Sequence, residues 1–266
     1  MKLWYQTASS YRYEPVFDEY GKTLEEQCKR ALRKDTEIYV SGVPVFMREE
    51  DRYKIIGYYH VSQVLNNMLR AEKEGYDAFI IGNTLEFGLD EGRCLVSIPV
   101  VSISEVSYFM AAMLGELFAI VTTQEHFCEQ YRQQVARHGL IGKYLQGNYY
   151  FLISEDELAM SVKDPMPVVN KFVTEAKKAI ADGASVIVPA PGLLPPLLYK
   201  AGLTEIEGAP VLDTIGLVAK FAEMMVDLKK LGIDYSRRLG VYGSPNKEFR
   251  KQILETYSKV FRIDAK

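Results

Sequence analysis

The sequence predicts an α/β fold of two pseudo-symmetric lobes, each a parallel sheet flanked by helices, with a cleft between them. Short β-branched runs alternate with amphipathic stretches throughout, the pattern of parallel strands joined by crossover helices. One strand–turn–helix–strand–helix stretch also occurs twice, which implies two similar halves.

Taken in order, the first strand is read at 2–5 and the first helix at 24–33, where Leu24, Cys28 and Leu32 recur at helical spacing. A strand at 37–40 is followed by a helix at 61–73, whose Val64, Leu65 and Met68 share one face. Strands at 78–81 and 100–103 complete the first half. The second half is read as a strand at 118–122, a helix at 127–138, a strand at 149–153, a helix at 167–181, and strands at 186–188 and 211–212. A last helix is read at 215–231. These elements assign residues 1–107 with 215–266 to one lobe and 108–214 to the other. Tyr11, Tyr13 and Phe17, and again Tyr53, Tyr58 and Tyr59, are read as Tyr-rich loop regions that either close over a ligand or serve lobe or subunit packing.

The repeat runs from Gly75 (GYDAFIIGNTLEFGLDEGRCLVSIPVVSISEVSYFMAAML) and again from Gly183 (GASVIVPAPGLLPPLLYKAGLTEIEGAPVLDTIGLVAKFAEMM). Each copy has a helix ending at Gly, a β-branched strand, a small or polar turn, a helix, a Pro-Val strand and a further helix. Asn83 matches Ala190, Pro99 matches Pro210, and Ser102 matches Asp213. In parallel sheets ligands bind in the loops beyond the carboxyl ends of the strands, so both turns are expected at one cleft.

With 48% hydrophobic and 25% charged residues, the composition selects the globular class. A net charge of −3, with no basic run interleaved with aromatics, disfavours a nucleic-acid partner. The N-terminus lacks the apolar core of a signal peptide, and no apolar stretch is long enough to span a bilayer, so a cytoplasmic protein with no membrane partner is expected. Cys28, Cys94 and Cys128 are odd in number and far apart, which fits a reducing compartment and no metal spacing; no cofactor motif is visible either.

The segment Ile81-Gly82-Asn83-Thr84-Leu85-Glu86-Phe87-Gly88-Leu89-Asp90, with Arg93 beyond it, resembles the first active-site segment of the aspartate/glutamate/hydantoin racemases. Ile98 to Glu105 resembles their Pro-Val strand ending in Glu, Leu117 to Thr123 the strand opening their second half, and Gly183 to Gly192 the segment that carries their second cysteine. The stretch SRRLGVYGSP from Ser236 resembles the family's tail. The resemblance implies a cofactor-independent fold with its active site between the lobes, a small carboxylate or cyclic amide as substrate, and self-association into a homo-oligomer.

It also implies that Asn83 and Ala190 stand where the family has its two catalytic thiols. Racemisation needs a base on one face of the α-carbon and an acid on the other, and neither an amide nor a methyl can serve. The polar residues left in the inferred cleft are Gln6, Thr7, Ser9, Asn83, Thr84, Glu86, Ser102, Thr122, Thr123 and Asp213. Glu86 is the candidate general base, on the expectation that desolvation raises its pKa, with Asn83 beside it; the competing reading is a cap for the helix from Gly88. Backbone N–H groups of Ala190 and Gly192 are expected to hold an anion or a polarised carbonyl, since Pro189 and Pro191 lack theirs. Asp213 is read as a substrate contact or as the cap of the helix near Ile215. His60, His126 and His138 are assigned structural roles. Hydrolysis, decarboxylation and isomerisation remain open, as do non-catalytic ligand binding and a racemase using other bases.

Overall fold

A computed structural model describes residues 1–48, 52–236, 243 and 245–261. Strands β1 (Lys2–Gln6), β2 (Glu37–Ser41), β3 (Ala78–Ile81) and β4 (Val100–Ser102) form a parallel sheet in the order β2-β1-β3-β4. Strands β5 (Phe118–Thr123), β6 (Tyr150–Phe151) and β7 (Val186–Pro189) form a second parallel sheet in the order β6-β5-β7. Val211 adds a parallel bridge to Ile187, so the second sheet repeats the strand order of the first. β3 and β7, which the repeat aligned, hold the same inner position.

The connections are helical: α1 (Asp18–Ala31), α2 (Lys54–Lys73) and α3 (Leu89–Leu95) in the first half, α4 (Ile103–Leu114) at the junction, and α5 (His126–Arg137), α6 (Glu155–Met160), α7 (Met166–Ala181) and α8 (Pro195–Lys200) in the second. α9 (Thr214–Lys230) and α10 (Lys247–Phe261) close the chain. The glycines that begin the repeat have one shared cause. Gly75 and Gly183 have φ of 78° and 113°, and the next residue's N–H reaches back five positions, Tyr76 to Ala71 and Ala184 to Ala179. The same left-handed helix stop thus ends α2 and α7, where a side chain would be strained.

Each sheet buries its apolar strands, yet the helix after each fourth strand packs across the junction. α4 places Tyr108 and Ala111 among Phe118, Ile120, Val186 and Val188 of the second sheet. α9 follows Val211 but packs Ile215, Val218, Ala219 and Ala222 into the core of the first sheet, against α1, α4, β3 and β4. The halves are therefore held by exchanged helices, and burial of these side chains contributes about 1.5–3 kcal/mol for each large one.

Several boundaries differ from the sequence reading. α2 starts at Lys54 and carries Tyr58 and Tyr59 on its exposed face, so these tyrosines are helical and not in a loop. The strand read at 149–153 contracts to β6, because Ser154 and Glu157 form a reciprocal cap that starts α6. The strand read to 103 stops at Ser102, whose side chain caps α4. A hairpin absent from the reading, β8 (Glu205–Ile206) and β9 (Ala209–Pro210), turns through Glu207 and Gly208 at positive φ. The tail stretch from Ser236 falls mostly outside the described residues. No helix among those described is long and apolar enough to cross a membrane.

Candidate active site

The carboxyl ends of both sheets converge on a cavity of about 40 Å³. Its lining comes loop by loop from the strand ends: Thr7, Ala8 and Ser9 after β1, Phe46 after β2, Gly82 to Leu85 after β3, Phe127 after β5, Glu155 after β6, and Pro191 to Leu193 after β7, with Tyr20 from α1. Backbone N–H and C=O groups freed at strand ends make such loops polar, and the helices behind hold them in place.

Contact between the β3 and β7 turns leaves no room for a side chain. A β-carbon added to Gly192 would lie 2.6 Å from the carbonyl oxygen of Gly82, so glycine is required for the turns to meet. Next to them runs a hydroxyl chain: Thr7 Oγ1 lies 3.1 Å from both Ser9 Oγ and Tyr20 Oη, and Tyr20 donates to the Gly192 carbonyl at 3.4 Å. Burial pushes the Tyr20 phenol well up, so it stays a neutral donor through the physiological range.

In the β3 turn, Asn83 Oδ1 accepts from Leu85 N at 2.7 Å, an Asx turn that shapes the loop. Thr84 Oγ1 pairs with Tyr131 Oη at 2.7 Å, and the Thr84 carbonyl accepts from Ser104 Oγ and Gln134 Nε2 at 2.7 and 3.0 Å. α4 and α5 together clamp this turn from outside.

Of the residues read from sequence, the structure brings Thr7, Ser9, Asn83, Thr84 and Gly192 to the cavity. Gln6 turns away: its Oε1 accepts from Asn67 Nδ2 at 2.7 Å and Trp4 Nε1 at 3.3 Å, and its Nε2 donates to the Thr7 carbonyl at 3.0 Å. Ala190 is buried with its N–H donated to Val121 at 3.0 Å within the sheet, so it offers no donor to a ligand. Thr122 and Thr123 end β5 buried, with Thr122 Oγ1 on the Thr123 carbonyl at 3.3 Å, and they do not line the cavity.

Asp213 caps α9 by accepting from Gly216 N at 2.9 Å, as its capping reading expects. It also takes Gln27 Nε2 at 2.5 Å and Arg30 Nη2 at 3.1 Å beside a separate cavity of about 50 Å³ between α1 and α8. Ser102, its partner in the repeat, caps α4 in the same way.

Glu86 departs furthest from expectation. Its side chain is fully buried outside the cavity, with Oε1 accepting from Ser102 Oγ and Glu105 N at 2.9 Å each, and Oε2 from Arg137 Nη2 at 2.5 Å and His138 Nε2 at 2.9 Å. Burial pushes the carboxyl up, but His138, the Ser102 hydroxyl and the Arg137 charge outweigh it, and the pKa falls below its ordinary value. The expected raised pKa is thus corrected: a carboxylate with four donors is an anchor. Nor does it cap α3, whose N-cap is Gly88 and which has no side-chain cap; it caps the first turn of α4 instead.

Sequence reasoning missed Tyr20, Phe46, Phe127, Leu193 and Glu155 in the lining. Only Glu155 had a usable signal, the Ser154-x-x-Glu157 box that places it in a first helical turn after a strand. The aromatic residues sit on ordinary apolar patterns. None of Cys28, Cys94 and Cys128 lines the cavity, and burial raises the Cys28 and Cys128 thiols, the latter to about 11. Among the described residues no group of three or more His, Cys, Asp or Glu is placed to hold a metal ion.

The arrangement holds hydroxyl and amide groups and one carboxylate within apolar walls, which suits a small polar ring whose carbonyl is polarised in a low dielectric. The chain is 27% identical over 246 residues to a hydantoin racemase of Pseudomonas sp. (strain NS671), covering 90% of this chain and 92% of that one. Its fold matches allantoin racemase from Klebsiella pneumoniae with a TM-score of 0.73 at 21% identity, covering 93% and 94% of the two chains. Allantoin racemase from Pseudomonas fluorescens matches with a TM-score of 0.71 at 22% identity, covering 92% and 97%. The sequence signature described as Asp/Glu/Hydantoin racemase matches residues 18–222, most of the chain, including every cavity-lining loop from α1 onward. The protein belongs to the Asp/Glu/Hydantoin racemase family.

Proposed function

We propose that this chain acts on a small cyclic amide or ureide held between the two sheets, moving a proton on the ring carbon without a thiol pair. The observation that carries the reading is the composition of the cavity: the Thr7, Ser9 and Tyr20 hydroxyls, Asn83 and Thr84 of the β3 turn, and Glu155 as the carboxylate in the lining. Hydantoin and allantoin, for which the relatives are named, are ring ureides of this kind. In this reading Glu155 takes the proton from the ring carbon as general base while the Ser9 end of the Tyr20–Thr7–Ser9 chain donates to the carbonyl oxygen on which negative charge develops, and the Glu155 carboxylic acid, after exchange with solvent, returns a proton to the same carbon. Glu86 holds the β3 turn in place and makes no contact with the ring.

A second reading, a ligand-binding protein without turnover, is favoured by the two turn positions themselves: Asn83 Oδ1 is committed to Leu85 N, and Ala190 has no proton-transfer group. Solvent deuterium uptake at C5 of hydantoin and allantoin, followed by NMR against the uncatalysed background, separates the two. Catalysed uptake that is lost in Glu155→Gln supports the enzyme. Saturable binding with no uptake supports the binding protein, and no binding of either ring defeats both.

A further inference from the structure

We infer that the groove outside Leu85 is a second subsite, one that holds a carboxylate carried by the substituent of the ring; the inference rests on the cyclic-ureide reading above. Leu85 is the residue shared by the 40 Å³ inner cavity and a groove of about 300 Å³ between α5 and the start of α2. The Thr84–Leu85 peptide is fixed by Asn83 at its N–H and by Ser104 and Gln134 at its carbonyl, and beyond Leu85 the Glu86 N–H donates to the Asn83 carbonyl at 3.0 Å. The half-buried Leu85 side chain is therefore the partition between the two spaces.

The inner cavity is uncharged but for Glu155, whereas the groove is lined by Lys54 and Arg137 together with Gln130, Gln133 and Gln134. Arg137 is oriented by its Nη2 contact with the buried Glu86, which leaves the rest of a half-exposed guanidinium facing the groove. A fixed guanidinium fork suits a carboxylate, and Phe87 adds an apolar surface to the lining for the chain that leads to it. A ring in the inner cavity with an acidic arm past Leu85 would place its charge beside Lys54 and Arg137. A neutral arm gains nothing from them.

Calorimetric binding of hydantoin-5-acetic acid, compared with its uncharged amide and with unsubstituted hydantoin, tests this in the wild type, Lys54→Gln and Arg137→Lys. The expected result is about tenfold tighter binding of the acid than of the amide at low salt, a ratio that shrinks in Lys54→Gln and as salt screens the groove. Arg137→Lys keeps the charge but loses the fork, and is expected to lower the ratio while retaining some preference for the acid. Equal binding of acid and amide in the wild type, or a ratio unchanged in Lys54→Gln, overturns the subsite while leaving the ureide reading intact. Failure of all three compounds to bind sinks both.

Discussion

Replacing Glu86 with glutamine separates an anchor from a catalytic base. The carboxylate receives two donors on each oxygen, and all four come from elements that clamp the β3 turn: Ser102 and Glu105 N at the start of α4, Arg137 and His138 at the end of α5. Glutamine keeps one acceptor oxygen for the α4 side. On the other side its NH₂ meets the Arg137 N–H donors head-on, and the ion pair is gone. Arg137 is half exposed, so that pair contributes only about 1 kcal/mol after screening. Loss of charge assistance to two buried donors adds roughly 1–2 kcal/mol. The expected cost is about 2–3 kcal/mol, which for a chain of this length lowers the melting temperature by roughly 5–10 °C.

The pH dependence fixes the sign. Because the folded carboxyl titrates below its ordinary value of 4.5, its contribution is fully present above that pH and is lost as the pH falls through the lower folded value. Thermal melts of wild type and Glu86→Gln are thus expected to be well separated at pH 7 and to converge on acidification below about 4.5. Turnover of the variant, measured at a temperature where it is folded, is expected to survive. A melting temperature within a degree of wild type combined with abolished turnover would refute the anchor and restore Glu86 as the base.

Gly192→Ala is expected to force the β3 and β7 turns apart, since the new methyl group would overlap the Gly82 carbonyl; a stability loss of about 1–3 kcal/mol in urea melts, together with weaker ring binding, checks this. Thiol-specific alkylation at pH 8 is expected to leave turnover unchanged, and Cys128, with a pKa of about 11, to react slowly because only about one thiol in a thousand is ionised. Inhibition that tracks modification would return the chemistry to a cysteine. Asp213→Ala removes the α9 cap and the partner of Gln27 and Arg30, for an expected cost of about 1–2 kcal/mol with little change in turnover; a large loss of kcat at unchanged stability would count against its structural role.

The alternation of strands and helices and the repeat were legible because each depends on local chemistry. Apolar runs such as AFII and VIVP form strands where they are buried on both faces, and Gly75 and Gly183 mark helix stops that only glycine makes without strain. The β1, β3 and β7 loops followed from the rule that parallel sheets expose their ligand loops at the carboxyl ends, which is why Thr7, Ser9, Asn83, Thr84 and Gly192 reach the cavity. What sequence could not decide was the direction in which each polar side chain points. Glu86 and Glu155 each sit just beyond a strand, yet one turns outward to four donors and the other lines the cavity. The donors around Glu86 lie 16 to 52 residues away along the chain and converge only because α4 crosses to the second sheet. A pKa is set by such neighbours, so its direction was decided by the tertiary structure alone.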